Sequence, residues 1–422
     1  MLGLTFNPNM ATWLISALAT AGVIIRPFAW PEAIWAVVGA ALLVILGLIG
    51  PDVAWSGILK GTDVYLFLGG MMLLSETARR EGLFDWLAAL ATRLAAGSPQ
   101  RLFLLVYLVG TVVTIFMSND ATAVVLTPAV AVAVKTARVK DPFPYLVICA
   151  FIANAASFVL PISNPANLVI YGNHMPPLLQ WLSRFAAASI LSIIATYLVL
   201  RLTQSQALAA DTVASDIDIP GLSSNGRLTA AGIAVTAIVL LASSGLDWQL
   251  GLPTAICGAL TTAVVLLRGR CSPWMTIRNI SWSVLPLVAG LFVLVEALER
   301  TGLMTMIGGS LQDLAQRSTA GAAWAAGAII AVGSNLVNNL PAGLIAAGAG
   351  HADGVPDPVA SAILIGVDLG PNLSVTGSLA TILWLSALRR EGAQVSAWAF
   401  LRLGLLVMPP ALILALAALL SV

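Results

Sequence analysis

Charge is scarce in this chain. Of 422 residues only 9% are Asp, Glu, Lys or Arg, against 59% hydrophobic, and the mean hydropathy is +0.96. A soluble domain of this size could not cover its surface with so few charges, so an all-α polytopic membrane protein is expected. Cysteine is nearly absent too. Cys149, Cys257 and Cys271 stand far apart with no C-x-x-C pair, which argues against a disulfide framework or zinc site and leaves three small packing residues, expected to be buried. The G-x-x-x-x-G-K-[ST] phosphate loop is missing, so an ATP-driven mechanism would need a second protein. The opening MLGLTFNPNM has neither the basic region nor the A-x-A site of a removed signal peptide. The two histidines, His174 and His351, fall in loops between apolar runs and are not expected to be ligands. No catalytic motif, metal centre, cofactor or nucleic-acid partner follows from the residues, and a net charge of +1 singles out no partner.

What is present is a set of hydrophobic runs with deliberate breaks. Residues 366–385 read GVDLGPNLSVTGSLATILWL, an apolar span interrupted by Gly370, Pro371, Asn372, Gly377 and several hydroxyls, with one carboxylate, Asp368, at the break. Backbone freed from a helix inside a bilayer must be paired within protein or water, so such a break survives only where it lines a cavity. Residues 151–171, FIANAASFVLPISNPANLVIY, follow the same plan with Pro161, Ser163, Asn164, Pro165 and Asn167. Asp141-Pro142 and Asp357-Pro358 precede the two breaks at matching distances, and each Asp is expected to cap a helix whose first turn holds the Pro.

The rest of the chain arranges itself around these two stretches. Runs at 10–25, 33–49 and 63–77 predict crossings, and 83–96 an interfacial helix. Residues 101–140 are basic at both ends, with Ser118-Asn119-Asp120 between two apolar arms, which predicts a re-entrant hairpin. A broken helix at 142–172, an interfacial piece at 176–184 and a crossing at 185–202 complete a first repeat, 1–202. A polar cytoplasmic linker, 203–227, leads to a second, 228–422. Its crossings lie at 228–244, 252–267, 280–298 and 400–420, with an interfacial helix at 303–316, a hairpin at 320–350 and a broken helix at 357–388. Local matches support the repeat: Arg80-Glu81-Gly82-Leu83 against Arg300-Thr301-Gly302-Leu303, Asn119 against Asn338, and Asn154 against Asp368.

Five crossings per copy, an odd number, make the second copy inverted. With the linker in the cytoplasm, 16 of the 20 Lys and Arg fall inside and only Lys60, Arg184, Arg300 and Arg317 outside, in line with the positive-inside rule. Both termini are then extracytoplasmic.

The four interrupted elements supply the candidate site. Ser118, Asn119, Asn154, Ser163, Asn164 and Asn167 come from one copy; Asn338, Asn339, Asn372, Thr376, Gly377 and Ser378 come from the other. Amides and hydroxyls without Lys or Arg suit a small neutral polyhydroxy solute or a desolvated cation better than a fully charged anion. Asp120 and Asp368 are the carboxylates of the set, and an intramembrane acid that can take up and release a proton is a coupling candidate; capping of the half-helices is the plainer role, and the two are compatible. Glu76 and Glu296, at equivalent places near the ends of two crossings, could relay protons, but an interfacial position is the simpler account.

FMSNDATAVVLTPAV, ANAASFVLPISNPANLV, VNNLPAGL and above all GVDLGPNLSVTGSLATILWL resemble the ArsB-type arsenite/antimonite permeases of the ion transporter superfamily, over essentially the whole chain. That resemblance implies export of trivalent arsenic and antimony as neutral hydroxides from an inner membrane, driven by proton exchange or membrane potential, with a cytosolic arsenite-stimulated ATPase docked in some members. The short linker sits less easily with such docking. Arsenous acid, uncharged at neutral pH, fits an amide and hydroxyl cavity, whereas paired thiolates would hold the metalloid too tightly for release. Alternatives on the same architecture are a sodium-coupled carboxylate carrier or sodium/proton antiporter, whose paired Ser-Asn-Thr signature is absent. A third alternative is the membrane subunit of an ATPase-driven pump.

Overall fold

The structure is a computed structural model that describes residues 7–172, 175–214, 221–350, 352 and 354–421; His174 and His351 lie outside the described residues. Among the described residues twenty-two α-helical segments follow one another and there is no strand.

The first half runs α1 (Pro8–Ile25), α2 (Glu32–Ile45), α3 (Pro51–Lys60), α4 (Thr62–Arg80), α5 (Leu83–Leu94) and α6 (Pro99–Phe116). It continues through α7 (Asn119–Ala121), a π-turn at Thr122–Leu126, α8 (Thr127–Thr136), α9 (Phe143–Ala155), α10 (Pro165–Tyr171) and α11 (Leu178–Thr203). A short α12 (Ser205–Ala210) follows. The second half runs α13 (Ser224–Gly245), α14 (Gly251–Gly269), α15 (Pro273–Asn279), α16 (Val284–Arg300), α17 (Leu303–Arg317), α18 (Thr319–Val337), α19 (Asn339–Gly350), α20 (Asp357–Leu369), α21 (Leu379–Arg390) and α22 (Ala397–Leu419).

The two halves repeat element for element. Leu83 and Leu303 open α5 and α17, each after a left-handed glycine, Gly82 and Gly302, whose positive φ no β-carbon residue adopts cheaply. The broken helices correspond at a spacing of 214: α9 and α20 have 13 residues each and end beside Asn154 and Asp368, and α10 and α21 start at Pro165 and Leu379. Packing is exchanged between halves. α4 lies against α14 and α16 against α2, while α11 and α22 pair with each other. These contacts are close: a β-carbon on Gly258 would strike the backbone of Gly70, and one on Gly290 the backbone of Ala36.

Among the described residues seven helices (α1, α6, α11, α13, α14, α18 and α22) are long and apolar enough to cross a membrane, or up to nine spans if the bent pairs α3/α4 (47°) and α15/α16 (42°) each count as one. Leu, Ile and Val side chains stand exposed along them, among them Leu18, Ile238, Leu260 and Ile329, where a soluble protein would place polar groups. The multi-pass expectation therefore holds. The count by length differs from the sequence reading, because the hairpin arms α6 and α18 are long enough to cross alone while the half-helices of each break are not.

Other details depart from expectation. Residues 176–184 form no separate interfacial piece, since α11 runs unbroken from Leu178. The linker is no free tether: Asp211 accepts from the Lys140 amide (3.0 Å), the Ala214 amide donates to Ala137 (2.9 Å), and α13 already begins at Ser224. Asp141 does accept the Phe143 amide (3.0 Å), as a capping residue should, but Asp357 sits inside the first turn of α20 and pairs with Arg184 at 2.6 Å. Cys149 is buried and Cys257 half-buried, but Cys271 is exposed. The hairpin tips align Asn119 with Asn339, one residue away from the sequence match, because α7 and α19 start there.

Candidate functional site

Helix breaks liberate backbone groups, and the small polar residues at 154–167 and 370–381 hold them. Asn167 Nδ2 donates to the carbonyls of Ser157 (2.9 Å), Leu160 and Pro161 (both 3.3 Å), closing the first break. Ser163 ties that break to the first hairpin through the Ile115 carbonyl at 3.0 Å. In the second break Asn335 donates to the Gly370 carbonyl (2.9 Å), Asn338 to that of Thr376 (3.3 Å), and the Asn339 amide to that of Gly377 (2.8 Å). The tip residues Ser118 and Asn338 both have positive φ, 154° and 69°, a conformation rarely held by non-glycine residues unless the surroundings fix it.

One contact pattern crosses the halves in both directions. Asn164 caps α10 by accepting the Ala166 amide (3.0 Å), and its Nδ2 donates to Asp368 Oδ1 at 2.7 Å. Its counterpart Ser378 caps α21 through the Thr381 amide (3.1 Å) and donates to Asn154 Oδ1 at 3.4 Å. The last turn of each first half-helix is thus bound to the cap of the other copy's second half-helix. Asn154 also donates to Asn372 Oδ1 (3.0 Å), and Asn372 in turn to the Phe151 carbonyl (3.1 Å). Asp368 is fully buried, and among the described residues its Oδ2 has no hydrogen-bond partner; the nearby Ser157 hydroxyl donates to the Asn154 carbonyl at 2.7 Å.

The predicted residues divide into two layers. A small cavity of about 40 Å³ is lined by Asn119, Asp120, Asn164, Asn338, Asn339 and Ser378, facing Leu68, Val288 and Leu291 of α4 and α16. A second, of about 100 Å³, is lined by Ser118 and again by Asp120. Asn154, Ser163, Asn167, Asn372, Thr376, Gly377 and Asp368 line neither; they form the layer behind, which shapes the breaks. This corrects the expectation of one cavity holding both acids: Asp120 reaches open space and Asp368 does not. Among the described residues no hydrogen bond is made to the Asp120 carboxylate.

Sequence reasoning missed Glu32, which lines the first cavity and pairs with Arg26. The available signal was an acid directly after Pro31 at the head of an apolar run. It also underrated Glu76, which lines the second cavity, accepts from Arg79 twice at 2.7 Å and from Asn279 at 3.2 Å, and is buried. Glu296, its counterpart, is held by Lys60 at 2.5 Å and Arg300 at 3.4 Å. Among the described residues no cluster of His, Cys, Asp and Glu could hold a metal ion.

The chain is similar to several known membrane transport proteins. The chain is 27% identical over 397 residues to the arsenical pump membrane protein of Escherichia coli K12, covering 91% of this chain and 92% of the relative. The protein of the same name from Yersinia enterocolitica is also 27% identical, over 394 residues (90% and 91%). An uncharacterized transporter of Mycobacterium bovis is 25% identical over 416 residues (94% and 95%). Among solved structures, the YdaH transporter of Alcanivorax borkumensis superposes with a TM-score of 0.59 at 16% identity, covering 98% of this chain and 97% of that one, which shows a shared fold. The model of the family described as "Citrate transporter" (CitMHS) matches residues 15–366. The chain is a multi-pass membrane transporter and belongs to the CitMHS family.

Proposed function

We propose that this protein exports trivalent arsenite and antimonite, as their neutral hydroxides, in exchange for protons. The observation that carries the reading is the lining of the first cavity: four Asn, one Ser and Asp120, with no Lys or Arg and one further acid, Glu32, already paired with Arg26. Asn119, Asn164, Asn338, Asn339 and Ser378 offer hydroxyl-matching donors and acceptors, while Ser118, Asn154, Ser163, Asn167, Asn372, Thr376 and Gly377 keep the breaks in shape. A site without a fixed cation gives a carboxylate substrate nothing to pair with, whereas a neutral M(OH)₃ solute needs no counter-charge. The names of the arsenical pump relatives support the same substrate class.

Proton coupling falls to Asp120 and Asp368. A carboxylate with at most one donor inside a membrane is costly as an ion, and protonation removes that cost; Asp120 exchanges its proton with the cavities it lines, and Asp368, behind them, only when the broken helices move. The topology is proposed as two inverted copies, divided as 1–202 and 228–422 around the segment 203–227. Both termini are extracytoplasmic in this reading, and the tips of the hairpins meet the breaks from opposite faces. Docking of an arsenite-stimulated ATPase is not required by this reading.

Arsenite uptake into inside-out vesicles under an imposed proton gradient tests it. Accumulation that collapses with a protonophore supports the proposal. Sodium-dependent citrate movement without arsenite accumulation would overturn it in favour of the carboxylate reading, which the family's description keeps in view.

A further inference from the structure

Two cavities meet at one carboxylate. Beyond Asp120 they share only Leu68, Pro165 and Val284, and their remaining linings differ in kind. The first is walled by the amide side chains of the hairpin tips and half-helix caps. The second carries Ser75, Glu76, Asn279 and Ser281 on its scaffold side and Ser118 and Val124 on the hairpin side, so its polar groups lie between Asp120 and the pair that the buried Glu76 makes with the exposed Arg79.

We infer that the second cavity is a separate water and proton passage between Asp120 and the face bearing Arg79 and Arg278, used while the solute occupies the first. This rests on the exchange reading for its purpose but not for its existence. The step is a simple transfer: the Asp120 carboxylic acid gives its proton to a water in the passage, that water hands one on toward the open face, and the carboxylate remains. Glu76 is a positioning residue here. Its two oxygens hold the Arg79 guanidinium at 2.7 Å and take the Asn279 amide at 3.2 Å, which neutralises the cation at the mouth and fixes the end of α15 there. The charged groups around this passage are few: Asp120 on α7, Glu76 and Arg79 on α4, Asp85 of α5 acting on Arg79, Arg80 bonded to Thr276 of α15, and Glu32 of α2 across the first cavity. The equivalent Glu296 lines neither cavity, although it is held by a similar pair of contacts, so the passage serves one face only.

Two measurements test this. In a background with Cys257→Ala and Cys271→Ala, Val124→Cys should react with a membrane-impermeant charged methanethiosulfonate at least tenfold faster from the face bearing Arg79 than from the other. Reaction from the opposite face only, or none, would overturn the passage, and this readout holds whatever the solute is. Separately, Ser281→Trp at the exposed mouth should lower proton-driven arsenite uptake tenfold or more while arsenite counterflow, which needs no net proton movement, stays within twofold. An equal loss of both would make the second cavity part of the solute path and sink the inference, as would an unchanged proton-driven rate. If the unaltered protein moves no arsenite at all, the exchange reading fails and Val124→Cys labelling alone decides on the passage.

Discussion

Asn154 and Asp368 occupy equivalent positions, yet only one is an acid, and their surroundings say why they are not interchangeable. Asn154 uses its amide as a donor, to Asn372 Oδ1 at 3.0 Å and to the Ala150 carbonyl at 3.4 Å, bonds no carboxylate can make. Asp368 accepts from Asn164 and leaves Oδ2 bare. Asp368→Asn should therefore abolish proton-driven arsenite uptake or uncouple it while the protein remains folded in the membrane, and a fully active variant would remove Asp368 from the mechanism. The exchange Asn154→Asp with Asp368→Asn should not restore transport, because the moved acid meets the acceptor oxygen of Asn372 where a donor is needed. Asn164→Leu should cost about 1–3 kcal/mol of stability, since both Asp368 oxygens are then buried without a donor; thermal unfolding of the detergent-solubilised protein reads that loss. That Asp368 stands at a helix break was legible from its place in an interrupted apolar run. That it lies behind the cavity rather than in it was not, because a residue's facing at the end of a half-helix depends on how the following loop returns.

The breaks themselves were readable for a physical reason: Pro, Gly and Asn cannot sit inside a spanning helix unless something else holds the backbone. The short bent helices α3 and α15 were not readable. With 10 and 7 residues they are shorter than any periodicity can establish, and the apolar runs on either side absorb them. The π-turn at Thr122–Leu126 left no mark in composition either. Glycine spacing at the second break, by contrast, carries a load that can be tested. A β-carbon on Gly370 would collide with the Ala331 carbonyl and Ser334 Oγ, and one on Gly377 would meet Pro371 Cα at 2.5 Å and Asn335 Oδ1 at 2.6 Å. Both neighbours of Gly370 are fixed in α18, so Gly370→Ala should destabilise by about 1–3 kcal/mol and lower the unfolding temperature. Gly309→Ala, where nothing lies within 4 Å, is the control expected to have no effect.

At the scale of the molecule, the exchanged packing of α4 on α14 and α2 on α16 makes each half unable to bury its own scaffold helices. The exchange extends to polar contacts: the last residue of α3, Lys60, forms an ion pair with Glu296 of the other half, and the last residue of α15, Asn279, donates a hydrogen bond to Glu76. A scaffold closed on itself in this way can stay rigid while hairpins and broken helices move, which is what alternating access around a fixed frame requires. The internal repeat was legible from matching breaks and the Arg80 and Arg300 segments, but the swapped partnership was not, because contacts between distant helices leave no local pattern. If the two interfaces share the load, Gly258→Val and Gly290→Val, each driven into partner backbone, should lower the unfolding temperature by similar amounts. They should also reduce transport in proportion to the folded protein that remains. A large effect from one and none from the other would mean that the halves are joined through a single interface, and the rigid two-fold frame would have to be given up.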